Sequence, residues 1–202
     1  MADVGNVDKP FGATPIGTTD GSDWHGKLRQ VAFSATTDTA AVFLNDFVTL
    51  SALGSDTTGK LPFVKLATAG SGNPLIGSLV SLVPDFANES FITKHRLAST
   101  ARTGYVAWGS QVLYIMQEDS DGNSIEATEA NNNVNLATIT AGNTTTGVSD
   151  NELDSSSAAT GATLQLRLHH VYDTPGNLLG DNAVWVVSIN NDADSLVALA
   201  GI

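Results

Sequence analysis

Apolar side chains in this chain recur at every second position in short runs, and no long stretch repeats them at the three-to-four spacing of a helix. Consecutive side chains of a strand point to opposite faces, so this period selects β-structure. The cleanest case is Leu164-Gln-Leu-Arg-Leu-His-His-Val-Tyr172. There Leu164, Leu166 and Leu168 fall on one face, and Gln165, Arg167 and His169 on the other. Ala183-Val-Trp-Val-Val-Ser-Ile189 is apolar on both faces, as a central buried strand is. Further strands are predicted at 28–34, 41–44, 47–50, 61–68, 75–83 and 134–140, and through the aromatic-rich run 104–118. Polar turns separate them, among them Gly70-Ser-Gly-Asn-Pro74 and Asp173-Thr-Pro-Gly-Asn177. The expected fold is all-β: a β-sandwich, jelly-roll-like or barrel domain with an extended N-terminal arm.

The arm is placed at residues 1–27, where Pro10, Gly12, Pro15, Gly17 and Gly21 break any helix and apolar residues are too few for a separate core. The β domain then covers 28–202, with long polar loops around 129–162 built from Asn, Thr, Ser, Gly and Ala. Asp121-Gly122 reads as the turn of a β-hairpin, because a type I′ turn needs positive φ at both central residues.

Charge narrows the function classes. Nine Lys and Arg against 21 Asp and Glu leave a net charge of -12 across 202 residues. Nucleic-acid binding rests on many cationic phosphate contacts, so no nucleic-acid partner is expected. The chain has no cysteine, which removes disulfides, thiol nucleophiles and thiolate ligands. The opening residues Met1-Ala-Asp-Val-Gly-Asn-Val-Asp8 carry neither the basic nor the apolar region of a signal peptide. No apolar run approaches the ~20 residues of a membrane helix. The expectation is synthesis in the cytoplasm and no membrane partner.

Sites for chemistry are sparse. Asp119-Ser-Asp121-Gly122-Asn123 alternates oxygen ligands as a calcium loop does, but its glycine is misplaced and the twelfth position is Ala130. That excludes an EF-hand, and the hairpin turn is the preferred reading over a looser calcium site. His169 and His170 are adjacent on a strand and diverge, while His25 and His95 stand alone, so no zinc set converges. There is no Gly-x-Ser-x-Gly elbow and no phosphate-binding glycine pattern. Glu118, Asp119 and Asp121 are carboxylates at a predicted hairpin end, where solvated acids are common. The sequons at Asn88 and Asn143 arise readily in so Asn- and Thr-rich a chain. We therefore expect no enzyme, no metal and no cofactor. Two groups stand out as contact candidates: Phe11, Ile16 and Trp24 on the arm, and the basic cluster Lys94-His95-Arg96 with Arg102. An alternative is a carbohydrate-binding β-sandwich used in host-surface adhesion, presenting Tyr105, Trp108, Tyr172 and Trp185.

Several segments carry a resemblance. Gln117-Glu-Asp-Ser-Asp-Gly122, Thr146-Gly-Val-Ser149, Glu152-Leu-Asp-Ser-Ser156 and Leu164-Gln-Leu-Arg-Leu168 are similar to capsid decoration, or head stabilisation, proteins of tailed bacteriophages. Asn177-Leu-Leu-Gly-Asp181 and Trp185-Val-Val-Ser-Ile-Asn-Asn191 extend the likeness, which covers about residues 105 to 191. The resemblance implies a β-rich cement protein on the outer capsid surface of a virion. Its partners would be the major capsid protein and itself, as a homodimer or homotrimer. It implies no catalytic residues.

Overall fold

The computed structural model describes residues 6–84 and 93–194. Eleven strands are present among them, with one short 3-10 turn at Ala127–Glu129. In chain order they are β1 (Thr14–Thr18), β2 (Leu28–Phe33), β3 (Phe47–Ser55), β4 (Pro62–Leu66), β5 (Gly77–Leu82) and β6 (Arg102–Trp108). There follow β7 (Val112–Gln117), β8 (Asn133–Leu136), β9 (Leu153–Ala159), β10 (Leu166–Val171) and β11 (Val184–Ile189). The all-β expectation holds, and the architecture combines both layouts. Strands β2-β4-β3-β5-β6 close into a barrel, and β1-β7-β11-β10-β8-β9 form a six-stranded sheet beside it.

The barrel is filled by Val31, Phe33, Val48, Val64, Ile76, Leu79 and Val106, all buried. Closing five strands leaves room only for such side chains, and glycine where backbones crowd. Gly77 is one such place, because a Cβ there would lie 2.1 Å from the Ala107 carbonyl oxygen.

One face of the sheet packs on the barrel's flank. Tyr114, Met116, Trp185, Val187, Leu166 and Leu168 meet Phe47, Ala67, Leu75 and Ala107 in a single core. Tyr114 marks the junction: its ring meets Phe47 edge-on at 5.1 Å and its hydroxyl donates to the Ala107 carbonyl at 2.8 Å. The alternation of β10 survives in the Leu face, but Gln165 is buried too. Its Nε2 donates to the carbonyls of Thr68 and Asn73, and its Oε1 accepts from the amides of Gly70 and Leu136. This residue, on the face opposite the leucines, is a polar bolt between barrel and sheet.

Several sequence expectations need correction. Residues 14–18 of the expected arm are an edge strand paired to β7, so this segment is part of the sheet. Pro15, which lacks an N–H, suits an edge. Residues 41–44 make isolated bridges to Arg96 and Val148 and form no strand. The stretch 104–118 is two strands in different sheets, because Gly109 takes φ 92 and turns the chain. Asp121-Gly122 is not a two-residue hairpin: β7 pairs with β1 and β11, and only Gly122 of the two has positive φ. The polar stretch 129–162 holds both β8 and β9. Residues 1–5 and 195–202, at the ends of the two predicted units, and the sequon at Asn88 lie outside the described residues.

Candidate functional site

The first described residues run along one end of the six-stranded sheet and are fixed there by side chains. Asn6 accepts from the Leu178 amide at 2.9 Å and donates to the carbonyls of Leu178 at 2.7 Å and Asp181 at 3.0 Å. Gln117, buried at the end of β7, accepts from the Lys9 amide and donates to the carbonyls of Val7 and Asn182. The turn at 173–182 is thereby clipped to residues 6–9. Three large apolar side chains stand in water on this end: Val7, Leu178 and Leu179. Sequence reasoning missed them. The signal was present, since Leu178-Leu179 lies between Pro175-Gly176 and Gly180, where polar turn residues are the rule.

Beside this clip the segment after β7 folds back against β9. Asp119, Asp121 and Asp154 each bring a carboxylate oxygen within 4.8 Å of the others. The Ser155 hydroxyl donates to Asp119 at 2.7 Å and to Asp121 at 3.2 Å, which draws these acids together. Calcium takes six to eight oxygens, and three convergent carboxylates with a hydroxyl donor among them fall short of that set. Glu118, buried, accepts from the Ile125 amide at 3.0 Å. Burial pushes its carboxyl up to about 7, against the opposing pull of the Ile125 amide. Glu152 is likewise pushed up to about 7, by burial first and then by the charges of Asp8, Asp119 and Asp150. Ser124 donates to Asp181 at 2.7 Å and closes the loop onto the clipped turn.

The predicted contact residues are scattered. Phe11 is half-buried, and its carbonyl accepts from Asn45 at 3.0 Å. Trp24 is partly buried against the main core. Ile16 lies on edge strand β1 at the margin of exposure. The basic cluster does not form a docking patch. Lys94 is exposed, but Arg96 is fully buried and Arg102 nearly so. Arg96 donates to the carbonyls of Ser34, Asp38, Ala40 and Thr100 and pairs with the Asp38 carboxylate at 3.0 Å. The loop 34–40 thus wraps a guanidinium whose planar fork donates to four carbonyls and faces one carboxylate. Arg102 donates to the His95 carbonyl at 2.9 Å. These cations hold the barrel's loops and are unavailable to a partner.

The aromatic residues are no freer. Trp185 is core. Trp108 donates to Asp194 at 3.0 Å, and the Arg29 guanidinium covers its ring at 4.1 Å. Tyr105 and Tyr172 are half-buried. Buried carboxyl Asp46 serves the fold: it accepts from the Phe43 amide at 2.7 Å and from Asn151 at 2.8 Å. Comparison with family models, curated proteins and solved structures finds no match to this chain.

Proposed function

We propose that this chain is a non-enzymatic structural protein that acts by adhesion, as an accessory cement on the outer surface of a tailed-phage head. The observation that carries the reading is the clipped end of the sheet. There Val7, Leu178 and Leu179 are exposed while the backbone beneath them is held by Asn6 and Gln117. Apolar side chains held in water on a rigid support are a ready contact surface, since little ordering is needed on binding. The polar groups that sequence reasoning offered to a partner, Arg96 and Arg102, are committed to the fold instead. The likeness of residues 105 to 191 to decoration proteins supports the same reading.

On this view the major capsid protein is the partner. Binding offered only by the assembled lattice stabilises that lattice by mass action. Many identical sites on one shell then make a durable coat from modest contacts. The test is to add purified protein to heads that lack it, then measure occupancy and the temperature at which DNA is released. Saturable occupancy with a raised release temperature supports the reading, and absence of binding rejects it.

A further inference from the structure

The clipped end of the sheet also has a charge pattern that specifies its partner. Val7, Leu178 and Leu179 are 67%, 42% and 49% exposed. Asp8 follows Val7 directly, and Asp181 closes the same turn as the two leucines. The Ser124–Asp181 hydrogen bond brings the loop carrying Asp119 and Asp121 alongside, with Asp154 converging on them. The charges of Asp8, Asp119 and Asp150 act on Glu152. Asp8 and Asp181 thus flank the three exposed apolar side chains in the sequence, and Asp119, Asp121, Asp154 and Glu152 lie on the loop and strand joined to that turn, with Lys9 the neighbouring cation in the sequence. The ion pairs formed between described residues, Arg29–Asp194 and Arg96–Asp38, lie elsewhere.

Like charges crowded together repel, and a partner that neutralises them gains the relief. A second copy presenting the same face would bring acid against acid. Anionic lipid headgroups or nucleic-acid phosphates would be repelled likewise. An uncharged sugar would leave the acids unneutralised. A protein surface with lysine or arginine around an apolar depression gains on both counts.

We propose that residues 6–9 and 177–182, flanked by the 119–126 loop, form a docking face for a basic protein surface into which Val7, Leu178 and Leu179 insert. This deepens the adhesion reading and rests on it, because it names the chemistry of the shell surface engaged.

The experiment is NMR of the full chain, titrated with a synthetic peptide of alternating lysine and leucine. Alternating lysine–serine and glutamate–leucine peptides are the controls. Shifts confined to 6–9, 119–126 and 177–182, weakened by salt, are expected for the lysine–leucine peptide alone. Val7→Ser/Leu178→Ser/Leu179→Ser and Asp8→Asn/Asp121→Asn/Asp181→Asn should each weaken it by about tenfold or more. All six positions in these two variants are exposed, and thermal melting checks that each variant folds. Leu53→Ser/Leu97→Ser, at exposed leucines elsewhere, should bind unchanged. Shifts elsewhere, equal binding of the lysine–serine peptide, or undiminished binding by the apolar variant would overturn the face. Self-association abolished by the same substitutions would assign it to a second copy and overturn it too. Heads separate the two claims. If wild type and the apolar variant coat heads equally, this face falls and adhesion stands. If neither coats heads, adhesion falls, and the peptide result alone decides the face.

Discussion

Gln165 tests most sharply how single side chains hold this molecule together. Its four side-chain hydrogen bonds join the 68–73 loop to β8 and β10 inside the protein. Stripped buried groups cost ~1–3 kcal/mol each, so Gln165→Ala should lose about 3–5 kcal/mol in urea unfolding after partial relaxation. Gln165→Glu keeps the shape but points an acceptor at the Thr68 and Asn73 carbonyls, so it should be as damaging at neutral pH and less so when the acid is protonated. Arg96→Ala should cost about 3–5 kcal/mol, because it leaves the buried Asp38 carboxylate unpaired. Arg96→Lys should not restore it, since an ammonium cannot reach the same spread of carbonyls. Both Arg96 variants should leave partner binding intact in whatever fraction is folded. The buried acids set the pH response, opposed by His95 and His169, whose burial favours the neutral ring and so adds stability as pH rises. Asp46, Glu118 and Glu152 all hold their protons up to about 7. A carboxyl raised in the folded state stabilises fully below its unfolded pKa of about 4, and that contribution is lost as pH rises through about 7. Thermal midpoints should therefore fall between about pH 5 and pH 8, the reverse of a protein held by ion-paired carboxylates. Glu118→Gln, which mimics the protonated acid toward the Ile125 amide, should flatten that fall by an amount on the order of 3 kcal/mol. A midpoint that rises over the same range would contradict the assignment of these acids.

At the scale of elements, the barrel depends on close backbone approach where β5 meets β6. In Gly77→Ala the new Cβ would meet the Ala107 carbonyl oxygen at 2.1 Å and a Val106 methyl at 2.6 Å. The strands must part, and a loss of about 2–3 kcal/mol is expected in urea unfolding; a smaller loss would mean that the barrel seam is plastic. The strands best read from sequence were those with a large apolar face, β2, β10 and β11, because burial of Leu, Val and Trp dominates their placement. Two strands were invisible for physical reasons. β1 has only five residues, includes a proline and a bulge, and gains its place from pairing with β7. β9, Leu-Asp-Ser-Ser-Ser-Ala-Ala, has little apolar surface, and Ser155 is buried because carboxylates and a carbonyl accept from it. The basic cluster misled for a related reason. A cation count along the chain says nothing of carbonyls 56 or more residues away that close around Arg96. Val7, Leu178 and Leu179 were likewise hidden, since exposure is decided by which segments Asn6 joins across 172 residues.

At the scale of the whole molecule, residues 6–27 are not a detachable tether. Their removal takes away β1, the Ala13 amide bonded to the Asn45 carbonyl, and the Ser78 hydroxyl's acceptor on Ala13. Such a deletion should lower the thermal midpoint as well as any binding, whereas surface substitutions at Val7, Leu178 and Leu179 should affect binding alone. Barrel and sheet share one core through Tyr114, Phe47 and Leu75, so the chain is built to present a fixed shape. The proposed adhesive role calls for such a fixed shape, with Val7, Leu178 and Leu179 exposed at one end. The decisive measurement is the copy number of this chain on purified particles, by quantitative mass spectrometry against the shell subunit. The account predicts a fixed ratio to that subunit that persists through washing at low ionic strength. Purified native particles that carry no copy of the chain would contradict it.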